Sequence, residues 1–343
     1  MPFFWPRFLP ELDWIQISIS TYCNAGCAYC PQTVYRSRWQ GRLMDPDLFA
    51  EIVSRLKNVQ LIYLQGWGEP FLHPDFWKMI GLVKKAGFQA GCTSNASLLD
   101  SEALRKAVDQ GLDFLALSLA GLGEKNDRIR RGTSYKQVLK TIEELQRIKA
   151  QKKSAVPSLH LAYMLLRSHL QDLERLPAFF AESGADQVVL SSLTLPLSPA
   201  FEKEALLADS EQEYRQIKAE MCRLFAGPEL NSRVFIHFYN PFKPPGPCSE
   251  NVSRALCLDP AGRVTPCVLT QVPAQPPARH WFQGEKFELQ QADFGRIQNS
   301  GLKKVWHDPG YKRFRRRLDL KLCSRCTKAR IDHTLEPGAP VAG

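Results

Sequence analysis

Three cysteines fall within one stretch of eight residues, as Cys23-x3-Cys27-x2-Cys30. A tight loop can fold that spacing around three corners of a cubane, and thiolates are the usual ligands of iron–sulfur clusters. Structural zinc normally takes four protein ligands, and no fourth cysteine or histidine stands close by in the chain. Three protein ligands leave one metal position open, where a small molecule can bind and react. A second set, Cys248, Cys267, Cys323 and Cys326, is more dispersed. Two and two make four ligands, which suits either structural zinc or a fully ligated 4Fe–4S cluster. Seven of the ten cysteines fall into these sets. Cys92, Cys222 and Cys257 remain, and are expected to be small buried hydrophobes. Cys257 competes with Cys248 for a place in the second set.

The elements that must position these thiols can be marked from apolar runs. Ile15–Ser20, Val59–Leu64, Phe88–Thr93, Asp113–Leu119, Ser158–Met164 and Gln187–Ser192 have the length of buried strands. Helices are expected between them. One opens at Asp45-Pro46 and runs to about Lys57. Pro74–Ala86 is closed by Gly87, and a third, capped by Asp100, stops at Gly111. Tyr135–Lys152 is long and amphipathic, and Leu170–Ser183 ends at Gly184. Six strand–helix alternations predict parallel strands with right-handed crossovers, either partly closed into a barrel or lying as an open doubly wound sheet. Both arrangements put the ligand at the carboxyl ends of the strands. The cysteine triplet follows strand one there. Gln65-Gly66-Trp67-Gly68-Glu69-Pro70 follows strand two, Thr93-Ser94-Asn95 ends strand three, and Ser118-Leu119-Ala120-Gly121 ends strand four.

The stretch Cys23-Asn24-Ala25-Gly26-Cys27-Ala28-Tyr29-Cys30-Pro31 resembles the motif of the radical S-adenosylmethionine (SAM) superfamily. The resemblance implies a 4Fe–4S cluster on Cys23, Cys27 and Cys30 whose open iron chelates SAM. One electron then cleaves SAM to methionine and a 5′-deoxyadenosyl radical, which abstracts hydrogen from a substrate. It also implies SAM contacts from Gly66, Gly68, Glu69 and Pro70, which resemble the family's glycine-glycine-glutamate-proline loop. Tyr29 matches a position near adenine, and Asn95, Ser118 and Arg131 match further polar positions. The expected fold is α/β, a partial (β/α)6 TIM-like barrel followed by a small irregular cysteine-rich C-terminal domain.

Beyond about Asn231 the texture changes, for nine of the 24 prolines fall between Pro241 and Pro277. The expected organisation is an N-terminal extension (1–12), the barrel (13–209), a linking helix (210–233), the cysteine-rich domain (234–335) and a tail (336–343). Cys248 and Cys267 read as arms of a hairpin turned by Asp259-Pro260-Ala261-Gly262. Together with Cys323-Ser324-Arg325-Cys326 they resemble the SPASM or twitch extension of the same superfamily. That resemblance implies one auxiliary 4Fe–4S cluster with four cysteine ligands, serving as an electron relay. Its implied partners are an electron donor such as flavodoxin or ferredoxin and a peptide, protein or small-molecule substrate.

Composition narrows the class. No apolar run approaches the roughly 20 residues of a spanning helix, and Pro2, Pro6 and Pro10 interrupt any signal-peptide core. A cytoplasmic address is therefore expected. The formal charge is +10, with a basic run at Lys312–Arg317. This run raises the alternative of an RNA-modifying enzyme, but no aromatic-interleaved RNA motif accompanies it. Metallocofactor maturation is the other alternative. No residue declares itself a general base.

Overall fold

The computed structural model describes residues 11–206 and 208–331. The tail and all but the last two residues of the N-terminal extension lie outside the described residues. The six expected strands all form: β1 (Leu12–Ile17), β2 (Val59–Leu64), β3 (Gln89–Ser94), β4 (Phe114–Leu119), β5 (Ser158–Leu165) and β6 (Gln187–Ser192). They pair in parallel, each with the next, in unbroken sequence order. A doubly wound sheet reverses its strand order at a switch point. None occurs here, and the order is that of a partial barrel.

The main sheet does not end with β6. Val234–His237 (β7) adds in parallel beside it, and Ala255–Leu258 (β8) adds in parallel to β1 at the other edge. Val264–Thr265 (β9) completes a hairpin with β8. Its turn rests on Asp259, which accepts hydrogen bonds from Ala261 and Arg263 main-chain N–H groups at 2.9 Å each. The nine strands form one sheet, and residues on both sides of the expected boundary share it.

Local chemistry sets the helices. Asp45 caps α1 (Pro46–Arg55), with Pro46 in the first turn, where a missing N–H costs nothing. Next come α2 (Phe76–Lys85), α3 (Ser101–Asp109) and α4 (Tyr135–Lys152). The helix expected over 170–183 divides. Arg167–Arg175 is 3-10, and the α-helical part is α5 (Leu176–Glu182), with Pro177 in its first turn. The linking helix α6 (Glu211–Phe225) is capped by Ser210. Near the C-terminus lie α7 (Ile297–Trp306) and α8 (Pro309–Arg317).

The strand period of two separates core from cavity. In β4, Leu115 and Leu117 are fully buried in the core, while Ala116 and Ser118 line cavities. In β5, Leu159, Tyr163 and Leu165 join the core, while His160, Ala162 and Met164 line a cavity. Among the described residues no helix is long and apolar enough to cross a membrane.

Candidate active site

The cysteine loop follows β1 and is held from three sides. Cys30 N–H donates to the Cys27 carbonyl, and Cys30 begins the short helical turn Pro31–Val34. Gly26 and Cys27 bridge to Arg131 and Arg130 in a two-residue antiparallel pair. Asn95 reaches across from the end of β3, its amide donating to Asn24 Oδ1 at 2.9 Å and lying 3.8 Å from Cys23 Sγ. Burial pushes the Cys23 thiol up to about 11 and the Cys30 thiol up to about 12. Without a metal these thiols hold their protons, and binding a metal must displace them.

The loop after β2 lies in contact with the cysteine loop. Glu69 N–H donates to the Tyr22 carbonyl at 2.8 Å. A Cβ at Gly68 would stand 2.4 Å from the Ser20 carbonyl oxygen and 2.5 Å from that of Tyr22. Only glycine permits this approach. The Glu69 carboxylate accepts from Ser94 Oγ and Asn95 N–H, each at 2.8 Å, and from Phe71 N–H at 3.4 Å. Its ordinary role here is to tie the ends of β2 and β3 together. Burial lifts its pKa to about 7 against the pull of these hydrogen bonds.

A cavity of about 290 Å³ opens over these loops. Cys23, Cys27, Cys30, Gly66, Gly68 and Glu69 line it, and so do Tyr29, Asn95 and Ser118. Of the remaining expected contacts, Pro70 is buried at the start of a 3-10 turn and Arg131 is exposed, and neither lines the cavity. The buried arginine is its neighbour Arg130, which lines the cavity and donates to Tyr29 OH at 2.9 Å. Arg130 Nε has no hydrogen-bond partner among the described residues. A strand pairing places alternate residues on opposite sides, so the choice between adjacent arginines needed the fold.

Behind this cavity lies an inner one of about 370 Å³, which shares eight lining residues with it, Tyr29, Cys30, Gln65 and Trp67 among them. Its polar wall is built from residues that carry no motif in the sequence. Tyr63 OH is hydrogen-bonded to Thr93 Oγ1, and Gln16 donates to the Gln65 carbonyl at 3.1 Å. His160 stacks on Phe114 with 4.8 Å between ring centroids, and burial lowers its pKa. The far wall carries Glu250 and Lys328, joined at 2.9 Å. Trp67, the residue inserted between the two loop glycines, donates from its indole to the Val268 carbonyl at 2.9 Å. It couples the loop after β2 to the residue following Cys267.

A third, small cavity is lined by Cys248, Cys267, Cys323 and Cys326, with Leu269, Phe314, Leu318 and Leu322. Cys257 is not among its lining residues. It is buried in β8, opposite Gln16 and Thr265. Burial raises all four lining thiols, Cys248 to about 11 and Cys323 and Cys326 to about 12. Among the described residues no three His, Cys, Asp or Glu groups close on a point where a single ion would sit. A cubane holds its thiolates apart at separate corners, and the donor sets suit that chemistry. The buried Arg130 with an unsatisfied N–H suits an anionic group of a ligand in the outer cavity.

The radical SAM superfamily model matches residues 17–175. This part of the chain belongs to the radical SAM superfamily. The SPASM iron–sulfur cluster-binding domain matches residues 248–327, so the chain is an enzyme whose cofactors are SAM and 4Fe–4S clusters. The chain is 24% identical over 315 residues to a Pyrococcus furiosus protein, the tungsten-containing aldehyde ferredoxin oxidoreductase cofactor-modifying protein. That match covers 89% of this chain and 83% of its relative. It is 30% identical over 178 residues to GTP 3′,8-cyclase from Chlorobaculum tepidum, half of each chain. The fold is similar to that of Streptococcus suis SuiB bound to S-adenosylmethionine, with 16% identity and a TM-score of 0.63. That likeness covers 93% of this chain and 72% of SuiB. It is also similar to anSMEcpe with bound AdoMet and Cp18Cys peptide, at 16% identity and a TM-score of 0.62, covering 94% and 92%.

The basic run of this radical SAM enzyme is partly consumed by packing. Arg315 stacks over Trp306 and Tyr311 and donates to the Trp306 carbonyl, while Arg313 pairs with Asp319 at 2.9 Å. Arg316 and Arg317 remain exposed.

Proposed function

We propose that this enzyme oxidatively modifies a peptide or protein side chain, or a cofactor precursor, held in the inner cavity. One observation carries the reading: the inner cavity touches both cysteine sites. It shares Cys30 with the outer cavity, and Glu250, Leu269 and Lys328 with the cavity of the four later cysteines. When bound, SAM and its cluster supply a 5′-deoxyadenosyl radical that takes a hydrogen atom. The chain's residues do the rest. Cys23, Cys27 and Cys30 hold the first cluster, and Asn95 and Glu69 fix the loops over it. Arg130 and Tyr29 close one side of the outer cavity, and Ser118 presents a hydroxyl to it. Tyr63, Gln16 and His160 give the substrate polar contacts within mostly apolar walls. Cys248, Cys267, Cys323 and Cys326 hold the second cluster, across one layer of side chains from the substrate.

Relatives support the substrate class. SuiB has been seen bound to the precursor peptide SuiA, anSMEcpe to a peptide, and the Pyrococcus relative is described as cofactor-modifying. A flavodoxin- or ferredoxin-type protein suits the role of electron donor. Ten cysteines, none in a disulfide, suit a reducing cytoplasm.

Anaerobic reconstitution tests the reading. About eight irons per chain are expected, from two four-iron clusters. Replacing Cys23, Cys27 and Cys30 with alanine should abolish 5′-deoxyadenosine formation. Replacing Cys323 and Cys326 should leave uncoupled SAM cleavage intact. Zinc without iron, or cleavage surviving in the triple variant, defeats the proposal.

A further inference from the structure

Three side chains, Glu250, Leu269 and Lys328, are common to the inner cavity and the cavity of the four later cysteines. They form the layer between a substrate and those thiols. Two of the three are charged and paired to each other at 2.9 Å, with only 18% and 20% of the side chains exposed. Each follows a cysteine at the same offset: Glu250 two residues after Cys248, Lys328 two residues after Cys326.

The pair is not needed to join its two segments. Main-chain hydrogen bonds already do so, from Ser249 N–H to the Lys328 carbonyl at 3.0 Å and from Gly246 N–H to the Ala329 carbonyl at 2.6 Å. Nor does net stability account for it. Well-packed apolar residues commonly do as well as a buried ion pair or better, because desolvation consumes most of the attraction. What an apolar pair cannot supply is charge of fixed sign beside the thiols. Lys328 lies close enough to Cys326 and Cys248 to act on both, and Glu250 acts on Cys248, Cys257 and Cys267. Charge and hydrogen bonding around the sulfurs are the levers that set the potential of an iron–sulfur cluster.

We propose that Glu250 and Lys328 are a positioning pair that sets the reduction potential of the auxiliary cluster from its substrate-facing side. Lys328 favours the more negative reduced form, and Glu250 opposes it. The pair leaves that side nearly neutral and apolar Leu269 completes it. The inference rests on the reading of the four cysteines as cluster ligands.

The test is a redox titration of the reconstituted full-length enzyme followed by electron paramagnetic resonance. Glu250→Gln should raise the auxiliary midpoint potential, because Lys328 is left uncompensated. Lys328→Met should lower it. The double variant should return it close to wild type, and Lys328→Arg, which keeps the charge, should not move it. Leu269→Met disturbs the same layer without charge and should also leave it in place. The SAM-binding cluster serves as the internal reference and should stay fixed in every variant. Two single variants that shift in the same direction, or not at all, overturn the inference. So does selective loss of auxiliary iron from the double variant, since the pair would then be a scaffold for the ligands. Iron content separates the two levels. Four irons in the wild type would remove the auxiliary cluster itself, whereas eight irons with unmoved potentials would refute only the role of the pair.

Discussion

Glycine-to-alanine substitution at two positions should have opposite effects, and the structure sets both magnitudes. At Gly68 the new methyl group would stand 2.4 and 2.5 Å from two main-chain carbonyl oxygens, those of Ser20 and Tyr22. Neither can swing aside as a side chain could. The two loops must separate, which breaks the hydrogen bond from Glu69 N–H to Tyr22. Overpacking costs about 1–3 kcal/mol, and contact with main chain on both flanks puts this case near the top of that range. In a chain of this size that lowers the melting temperature by roughly 5 °C. If the strain is relieved by parting the loops over the outer cavity, SAM affinity should fall by up to about 100-fold, at 1.4 kcal/mol per tenfold. At Gly81, in the middle of α2, nothing lies within 4 Å of the added methyl. Alanine there gains helix propensity of up to about 1 kcal/mol, and the melting temperature should rise by a degree or two. Differential scanning calorimetry and equilibrium dialysis with SAM on the reconstituted proteins decide the matter. A Gly68→Ala protein that melts like wild type and binds SAM with unchanged affinity refutes the close apposition of the two loops.

Further outcomes follow from neighbouring groups. Glu69 has its folded pKa raised to about 7 by burial. Its contribution to the stability of the metal-free protein is therefore fully present below the ordinary carboxylate pKa and lost as pH rises through 7. The loss is on the order of 3 kcal/mol, at about 1.4 kcal/mol per unit. Chemical denaturation between pH 4.5 and 8 should show the decline in wild type, and Glu69→Gln should lack it; equal slopes contradict the assignment. Tyr29→Phe removes the acceptor for Arg130 Nη1 and leaves a second buried N–H unpaired, at about 1–3 kcal/mol. Urea unfolding should show that loss, and a variant as stable as wild type argues against the contact. Trp67→Phe keeps the ring but deletes the indole N–H that reaches Val268, so limited proteolysis should cut faster near Cys267. An unchanged cleavage rate speaks against that tether.

Local signals explain what could be read without coordinates. The spacing of Cys23, Cys27 and Cys30 is a property of one short loop, and the six strands announce themselves by composition over a few residues each. The glycines of the loop after β2 were legible as sites of close approach, although the partner they approach was not. The wall residues were harder. Gln16, Tyr63 and His160 occupy single inward positions on separate strands, and none carries a motif. Glu250 and Lys328 are 78 positions apart in the chain. Their only local trace is the repeated offset from a cysteine.

The sequence by itself determined the thiol sets, the parallel strand succession and the glycine-bearing loop, because each depends on neighbours along the chain. Only the tertiary structure decided which of Arg130 and Arg131 faces the cavity, since pleat direction depends on pairing with Gly26 and Cys27. It decided that Glu69 spends its oxygens on Ser94 and Asn95. It placed β7 and β8 at the two edges of the barrel sheet. And it brought the second cysteine set to within one layer of side chains of the inner cavity, a closeness that arises from sheet pairing between β1 and β8 and has no counterpart in sequence distance.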